Sequence, residues 1–488
     1  MSANDPTIIV LDESRKAMLG PSVSANADGG RLKRLLLERY RGMESLSEVQ
    51  VTGPLSDEPG YFRFGEDVIC YGRCASAAPA TSVTGPLHQA RQHVEIDGSS
   101  VHLPFDPAEV LDNLRCERYC DSSRGIKTLP ASSVFRGLYY FVRPVLRVSV
   151  RKHFQKLYFR GWDKIAFPQW PVDRTVESLF EQLLVLTMQS RHLKRVPFVW
   201  FWPDRARSCT MMTHDVETTA GRDFCSELMD VNDTFGIKSA FQIVPEDRYL
   251  VPQGFLDNIR GRGFEINVHD LNHDGRLMNN REEFLRRAQR INSYAKEFGA
   301  KGFRSAVMYR NVDWYDALEF SYDMSVPNVA HLDPQQGGCC TVLPFFLGKI
   351  LELPLTTTQD YSLFNILKEY SIRLWKEQVS LIREKHGLIS FITHPDYLID
   401  LRARKVYADL LRYLSDLRSQ GETWIALPSE VAAWWRIRSG LSLVGAGNAW
   451  RIEGNGSDRA TLAYAVLEND KLTYEFDGNC PERADLAG

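Results

Sequence analysis

Two acidic side chains stand two residues apart in the sequence Thr-His-Asp-Val-Glu at 213–217, which ends an apolar run. Alternate side chains of an extended strand point to the same face, so Asp215 and Glu217 would lie side by side. Two carboxylates on one face repel each other unless a cation or an arginine lies nearby. The pair therefore indicates a cation site, or else acids that favour the N-terminus of a following helix.

A second segment, Val-His-Asp-Leu-Asn-His at 268–273, carries two histidines four residues apart. The imidazoles of His269 and His273 can converge on one metal ion if the chain turns helically after the strand. Hydrogen-bonded structural histidines are common, so this spacing alone is weak evidence. Two imidazoles and a carboxylate at neighbouring strand ends are stronger evidence, because three protein ligands leave a metal open to water and substrate. Asp270 and Asp274 would either orient the imidazoles or serve as plain loop acids.

Three further polar residues follow apolar runs. A guanidinium at Arg304, which comes directly after Gly-Phe, could hold a neighbouring acid ionised. Asp323 lies in Ser-Tyr-Asp-Met, and His394 ends the apolar run Leu-Ile-Ser-Phe-Ile-Thr, after which Pro395 breaks the strand. We interpret His394 as a reactive group, and a buried structural histidine is the alternative.

An alternation of strands and helices from about residue 206 must position these groups. Strands are predicted in SCTMMTHDV, KSAFQIVP, FEINVHD, GFRSA, YDMSVPN, ILELPLT, LISFITHP and WIALP, and helices in FCSELMDVNDTFG, NREEFLRRAQRINSYAKEFG, LFNILKEYSIRLWKEQVSLIREKHG and 402–419. Six to eight β/α units of this kind indicate a parallel sheet, which closes most economically as a barrel. Reactive groups in such barrels gather at the carboxyl ends of the strands, where the polar residues described above are expected.

At these residues the chain resembles the polysaccharide deacetylases, the NodB-homology family that is also called carbohydrate esterase family four, over about residues 206–436. The family's motifs are Thr-Phe-Asp-Asp-Gly, His-Ser/Thr-x-x-His, a motif that begins with arginine, one centred on an aspartate, and Leu-x-x-His. In chain order they correspond here to 213–217, to His269 and His273, to Arg304, to Asp323 and to 391–394. The Pro-Tyr-Gly that usually follows the arginine is absent. The order, spacing and strand-end position of the motifs carry the resemblance.

The resemblance implies an α/β fold, a distorted (β/α) barrel of about seven strands, that removes an N- or O-acetyl group from a sugar with the help of a metal ion. Asp215 would be the general base that deprotonates the attacking water, with Arg304 holding it in place. His394 would protonate the leaving amine, and Asp323 would keep the imidazole charged enough to do so. The base and the acid would thus sit in environments that push their pKa values apart.

The resemblance also implies a metal site made of His269, His273 and one acid. The family's second aspartate, a metal ligand, is replaced here by Val216, which cannot bind a metal. Some members of the family read Asp-Val-Asp or Asp-Val-Glu instead, with the ligand one residue later. Glu217 is therefore the expected third ligand, and two imidazoles with a carboxylate favour Zn²⁺.

Three functional hypotheses follow from these residues. The favoured one is a metal-dependent sugar deacetylase that acts on a carbohydrate precursor, which would be lipid-linked if the protein touches a membrane. The second is a hydrolase of a linear non-peptide amide or of a non-sugar acyl group on the same barrel. The third is a catalytically inactive carbohydrate-binding barrel. A bound metal separates the first two from the third, and substrate profiling separates the first from the second.

The composition is that of an ordinary soluble globular protein. The 488 residues are 44% hydrophobic and 25% charged, and the net charge of -3 gives no global indication of nucleic-acid binding. Nine cysteines, an odd number in a long chain, do not indicate a secreted disulfide framework. The first residues lack the basic and apolar regions of a signal peptide, so a cytoplasmic location is expected.

Outside the barrel the sequence predicts an N-terminal segment at 1–45, a β-rich accessory domain at 46–130, a basic and aromatic helical connector at 131–205 and a β-rich C-terminal tail at 437–488. In the connector, a helix over 144–160 would carry a positive stripe of Arg147, Arg151 and Lys152. Such a helix can bind the inner face of a membrane peripherally, but a helix docked on the next domain is the favoured interpretation.

Two cysteine pairs in the accessory domain, Cys70 with Cys74 and Cys116 with Cys120, would suit a zinc site only poorly. Structural zinc sites usually have two residues between paired cysteines, so free thiols are expected instead. A glycine-rich stretch at 335–338 is a candidate loop over the barrel mouth.

Overall fold

The computed structural model describes residues 36–43, 49–120, 161–446 and 449–477. Its strands are β1 (Val49–Val51), β2 (Gly60–Arg63), β3 (Ile69–Gly72), β4 (Glu95–Asp97), β5 (Ser100–Leu103), β6 (Arg195–Val199), β7 (Cys209–Val216), β8 (Ala240–Ile243), β9 (Glu265–His269), β10 (Gly302–Arg304), β11 (Tyr322–Asp323), β12 (Phe345–Leu347), β13 (Ile350–Glu352), β14 (Leu388–Thr393), β15 (Trp424–Ile425), β16 (Ser442–Ala446), β17 (Ala449–Glu453), β18 (Leu462–Glu468) and β19 (Lys471–Phe476). Its α-helices are α1 (Pro107–Arg115), α2 (Thr175–Ser190), α3 (Thr219–Thr234), α4 (Gln253–Gly261), α5 (Arg281–Glu297), α6 (Arg373–Arg383), α7 (Leu401–Ser419) and α8 (Pro428–Gly440).

The central sheet has nine strands, in the order β12-β13-β11-β10-β9-β8-β7-β14, with β15 beside the start of β7. Strands β7 to β11, β13 and β14 all pair in parallel, whereas β12 is antiparallel to β13. All eight residues of β7 are buried, as expected for a parallel strand that is covered on both faces. The result agrees with the expected distorted barrel in its curled parallel sheet, but the sheet is open between β12 and β14 and has nine strands instead of about seven.

Side chains bridge the opening between β14 and the segment that follows β13. The hydroxyls of Thr356 and Thr357 each donate a 2.7 Å hydrogen bond to a β14 carbonyl, that of Leu388 and that of Ser390 respectively. The Ser390 amide in turn donates to the Thr356 hydroxyl at 2.9 Å. Hydroxyl groups thus take the place of a backbone ladder on this side of the sheet.

Polar caps fix the starts of the helices outside the sheet. The Thr218 hydroxyl accepts a hydrogen bond from the Gly221 amide at the start of α3, and Asn280 does the same for Glu283 in α5. The N-cap of α3 is therefore Thr218 and not one of the acids before it. The carboxylates of Asp215 and Glu217 therefore do not cap this helix.

The predicted long helix over 363–387 is wrong. The chain instead forms a π-helical turn at Ser362–Ile366 and a separate helix α6, and Lys368 between them has a left-handed φ of 60°. The Ser371 hydroxyl accepts from the Arg373 amide and donates to Glu369, so local side-chain bonds begin a new helix here.

The accessory region contains the three-stranded sheet β1-β5-β4, the hairpin β2-β3 and helix α1. Its aromatic side chains, such as Phe62 and Phe105, belong to the same buried cluster as Phe180 of α2 and Tyr322 of β11. The described residues 49–120 therefore have no core of their own. Cys70 and Cys74 are buried, Cys116 and Cys120 are half-buried, and none of the four forms a disulfide within the described residues.

The C-terminal strands β18 and β19 form one sheet with β6, which precedes the barrel in the sequence. Strand β18 pairs antiparallel with both β19 and β6, and the predicted domain boundary at residue 436 falls inside α8. The buried Arg438 of α8 donates to the carbonyls of Val199 and Arg39, which ties the two ends of the described chain together. Burial lowers the pKa of Arg438 to about 9.

None of the described helices is both long and apolar enough to cross a membrane. The proposed basic helix at 144–160, with Arg147, Arg151 and Lys152, lies outside the described residues.

Candidate active site

The carboxyl ends of β7, β9, β10 and β14 bring the predicted site residues together. Asp215 lies in β7, His269 ends β9, Arg304 ends β10, and His394 directly follows β14. The backbone register pairs Arg304 with His269, so their side chains emerge at the same level of the sheet. All four side chains are buried.

Three predicted metal ligands converge in front of these strands. The Nε2 atom of His273 lies 2.8 Å from Glu217 Oε1, and the Nε2 atom of His269 lies 3.7 Å from the same oxygen. His394 Nε2 lies 3.5 Å from that oxygen as well. Glu217, His269 and His273 thus form one group of possible ligand atoms, and Asp215, Glu217 and His394 form another.

The donor atoms of Glu217, His269 and His273 fit a small divalent cation. Ligand distances of roughly 2.0–2.2 Å in a tetrahedral zinc site separate the donor atoms by about 3.3 Å, within the spread seen here. Within the described residues, the buried Nε2 of His269 has no hydrogen bond, and the buried Nε2 of His273 faces the Glu217 carboxylate at 2.8 Å. Buried imidazole nitrogens without a partner are costly, and a cation would satisfy them.

The backbone orients one of these rings. The Nδ1 atom of His269 lies 3.2 Å from the Arg304 carbonyl, which leaves Nε2 directed at Glu217. Asp270 instead accepts from the amides of Leu271 and Ala306, and Asp274 pairs with Arg287. Neither acid forms a hydrogen bond with a site imidazole, so Asp270 and Asp274 shape the loops.

A buried ion pair holds Asp215. Arg304 Nη1 lies 2.6 Å from Asp215 Oδ1 and also donates to the Thr213 hydroxyl at 2.9 Å. Burial by itself raises the pKa of Asp215, but the charges of Arg304, His269 and His394 outweigh it and hold the pKa below its ordinary value. Asp215 is therefore ionised and fixed in position.

Glu217 and the nearby imidazoles shift each other's pKa values toward their charged forms. Burial opposes ionisation of Glu217, yet the nearby His273, His269 and His394 hold its pKa well below the usual range. In the same way, Asp215 and Glu217 raise the pKa of His269 although burial lowers it. A cation bound to these ligands would take the place of the protons that otherwise pair the imidazoles with Glu217.

His394 is paired with Asp360. The Nδ1 atom of His394 lies 2.7 Å from Asp360 Oδ1, and its backbone amide donates to Asp360 Oδ2 at 2.7 Å. Burial lowers the pKa of His394, but the Asp360 charge and Glu217 raise it well above its ordinary value. Nε2 is left facing Glu217 and the site, so the imidazole is held in one orientation with its proton available.

The expected pairing of Asp323 with His394 is wrong. Asp323 accepts hydrogen bonds from the amide and hydroxyl of Ser325. It also pairs in register with Glu352 of the neighbouring strand, where burial raises the pKa values of both acids. Asp323 ends the short strand β11, and the carbonyl of the next residue, Met324, accepts from Arg304 Nε. The segment after β13 instead supplies Asp360, the acid that reaches His394.

Asp360 was not expected from the sequence. It follows Leu-Pro-Leu-Thr-Thr-Thr-Gln, an apolar run that ends in polar residues, so the rule that identified His394 would also select it. His214, in the same segment as Asp215, points to the other face of β7 and contacts Thr393 and Asn232. Burial lowers the pKa of His214 to about 3, which makes it a neutral structural histidine.

No protein-family model and no curated protein sequence matches the chain. Its structure is similar to solved structures, many of which are polysaccharide deacetylases of carbohydrate esterase family four, over about half of the chain. One is a Mycobacterium smegmatis protein described as a polysaccharide deacetylase, 16% identical, with 49% of this chain and 93% of that one covered and a TM-score of 0.38. Another is PuuE allantoinase, with 15% identity, 48% and 92% coverage and a TM-score of 0.36. A third is a variant of the peptidoglycan deacetylase PdaC from Bacillus subtilis, with 12% identity, 47% and 93% coverage and a TM-score of 0.30.

Proposed function

We propose that this chain is a metal-dependent hydrolase that removes an acetyl group from a carbohydrate. One observation carries the proposal: the ligand atoms of Glu217, His269 and His273 meet beside an arginine-held carboxylate, Asp215, and a carboxylate-held imidazole, His394. A cation site with a base and an acid around it is the set of groups that acyl hydrolysis requires.

In this proposal Glu217, His269 and His273 hold one divalent cation, and two imidazoles with one carboxylate favour Zn²⁺. The cation, when bound, supplies Lewis acidity toward water and toward the acyl oxygen. In this proposal Glu217 compensates for the replacement of the family's usual aspartate by Val216, since its Oε1 lies within 3.7 Å of the Nε2 atoms of His269, His273 and His394.

Asp215 is the proposed general base. It accepts a proton from the attacking water as the water oxygen adds to the acyl carbon. Arg304 keeps the carboxylate ionised before the reaction and fixes one oxygen, Oδ1, so that Oδ2 is the atom free to take the proton. This Oδ2 oxygen lies 3.7 Å from Nε2 of His269 and so faces the ligand group.

His394 is the proposed general acid. When the bond between the acyl carbon and the amine nitrogen breaks, its Nε2 gives a proton to the departing nitrogen, and acetate and the free amine are the products. Asp360 keeps the imidazole protonated until then and holds Nδ1, so that Nε2 is the nitrogen that faces the substrate. The base is therefore held by Arg304 and the acid by Asp360.

The carbohydrate part of the proposal rests on the motif resemblance in the sequence. The geometry of acid, base and ligand group would serve a linear amide equally well, so the substrate is decided by experiment. The purified protein, loaded with zinc, should release acetate from a panel of N- and O-acetylated mono- and oligosaccharides. A matched panel of linear amides and ureides measures the alternative.

Removal of the metal with a chelator and its replacement complete the test. Acetate release from a sugar that stops on chelation and returns with Zn²⁺ supports the proposal. Hydrolysis of linear amides alone would support the second hypothesis. No hydrolysis of either panel by the zinc-loaded protein, together with saccharide binding, would support the inactive barrel.

A further inference from the structure

The loop 305–310, which follows Arg304, is bound to several elements of the site. Its Ala306 amide donates to Asp270, the residue after the ligand His269, and its Ser305 amide donates to Ser325. Met308 packs with Leu355 and Ile392 in a small buried cluster. Ile392 is paired in register with Thr213, which is hydrogen-bonded to Arg304, so this cluster lies beside the ion pair of the proposed base.

Two consecutive residues of this loop have unfavourable backbone conformations. Val307 has a φ of 58° and Met308 a φ of 55°, in the left-handed region that β-branched and bulky residues rarely adopt. Such conformations persist only where the surrounding structure holds them. The loop that begins directly after Arg304 is therefore held in this conformation by the contacts around it.

Arg310 is the main contact, and its partner comes from the accessory region. Arg310 Nη1 donates to the Met308 carbonyl at 2.8 Å, and its Nε donates to Glu117 Oε2 at 2.6 Å. The Nη2 atom bonds to the other oxygen of Glu117, which completes a two-pronged pair. Both side chains are buried, Glu117 at 8% and Arg310 at 4% exposure, so water does not compete with the pair.

Glu117 also binds the glycine-rich loop. Its Oε1 accepts from the Gly338 amide at 2.6 Å, and the Tyr119 hydroxyl donates to the Gly338 carbonyl at 2.6 Å. Gln335 of the same loop exchanges two hydrogen bonds with the backbone of Arg310. One carboxylate from outside the barrel thus joins the two loops at 305–310 and 335–338.

We propose that Glu117 is a positioning residue of the active site, which through Arg310 holds the loop 305–310 in the conformation that places Arg304 against Asp215. The accessory region 49–120 is then a component of the catalytic centre. The role in catalysis rests on the proposed hydrolase function, whereas the hold on the loop does not. Neither Glu117 nor Arg310 contacts the substrate in this account.

The variant Glu117→Gln keeps the size of the side chain and an acceptor for Gly338 but removes the charge that binds Arg310. We expect kcat for acetate release to fall about 10- to 100-fold, as for a displaced catalytic group, with KM and zinc content little changed. Amide hydrogen exchange of residues 305–310 should become faster. Arg310→Lys, which keeps the charge but not the planar fork, should show the same changes in a milder form, and it replaces Glu117→Gln if that variant does not fold.

The matched control is Glu181→Gln in α2. Glu181 also accepts from a buried arginine, Arg39 Nη2 at 3.3 Å, and from Lys385 Nζ at 2.5 Å, but within the described residues it forms no hydrogen bond with either loop. This variant should lower the melting temperature without changing kcat or the exchange of 305–310.

Equal effects of Glu117→Gln and Glu181→Gln on kcat and on exchange would overturn the proposal, because both would then act through overall stability. Unchanged exchange at 305–310 in Glu117→Gln would overturn it as well. If the wild-type protein hydrolyses nothing, the hydrolase function fails, and the exchange comparison still decides whether Glu117 holds the loop.

Discussion

Replacement of Asp360 by asparagine tests the assignment of the general acid. The carboxylate makes two 2.7 Å hydrogen bonds to His394, one to Nδ1 and one to the backbone amide, and both residues are buried. Asparagine keeps the shape, but it has one acceptor oxygen and no charge. The imidazolium therefore loses the partner that raises its pKa.

The size of the effect follows from the bond that is lost. A hydrogen bond to a charged group contributes about 1.5–3 kcal/mol, and each 1.36 kcal/mol is tenfold in rate, so kcat/KM on an amide should fall about 10- to 150-fold. An activated aryl acetate, whose leaving group needs no proton, should lose much less. The ratio of amide to ester hydrolysis is thus the quantity to measure.

The pH profile gives an independent readout. A general acid must be protonated, so its titration sets the alkaline limb of the rate profile. Asp360 raises the pKa of His394, and its neutralisation lowers that pKa, so the alkaline limb should move to lower pH in Asp360→Asn. The matched control is Asp323→Asn, which removes the acid that the sequence had paired with His394.

Asp323→Asn should leave the amide-to-ester ratio and the alkaline limb unchanged, since Asp323 contacts Ser325 and Glu352 instead. An unchanged ratio in Asp360→Asn, or an amide-selective loss in Asp323→Asn, would refute the reasoning.

Three further predictions follow. Glu217→Gln should lose bound zinc while Asp215→Asn retains it, as measured by metal analysis, and the reverse result would exchange the roles of the two acids. Asp215→Asn should lose activity on amide and ester alike, by about 10²–10⁴-fold. His394→Ala should keep its metal and lose activity mainly on amides. If the two variants lost activity equally on amides and esters, the roles of Asp215 and His394 would be misassigned. His214 stays neutral in the fold, with a pKa of about 3 against about 6.5 when unfolded, so the unfolded chain binds the extra proton and stability falls as the pH drops from about 6.5 toward 3. Urea unfolding at pH 7 and at pH 5 measures the unfolding free energy of the wild type relative to His214→Phe. This difference should be about 2 kcal/mol less favourable to the wild type at pH 5 than at pH 7. An unchanged difference would mean that His214 is not neutral in the fold.

Residue types and spacing predicted that Glu217, His269 and His273 would meet, because these residues lie at or close to strand ends. Glu217 follows β7 directly, and His269 ends β9, so local alternation already placed these side chains at the same edge of the sheet. The structure brings them within 3.7 Å of each other. Because the strands are parallel, their carboxyl ends lie at the same edge of the sheet. The order of the strands along the chain was therefore almost enough to predict that these side chains meet.

The partner of His394 could not be predicted in the same way. Asp323 and Asp360 both follow apolar runs, and β11 and β13 are only two and three residues long, too short for a clear alternation. Which acid reaches the imidazole depends on the path of the chain after β13, where Thr356 and Thr357 attach it to β14. Such side-chain bridges leave no periodic pattern in the sequence.

The sequence likewise did not show that the accessory region packs against the barrel. Its β-prone runs indicate strands, but hydrophobicity does not show which core they join. Phe62 and Phe105 pack in the same cluster as Tyr322 of the central sheet. The pair of Glu117 and Arg310 joins residues 193 positions apart, so only the folded chain reveals it.

Metal analysis of the purified protein tests the central claim most directly. The wild-type chain, dialysed against zinc and then against metal-free buffer, should retain one zinc ion per chain. His269→Ala and His273→Ala should each lose it without unfolding, and His331→Ala, which removes another buried histidine, should keep it. Zinc retained at full occupancy in both ligand variants, or no zinc in the wild-type protein, would contradict the account.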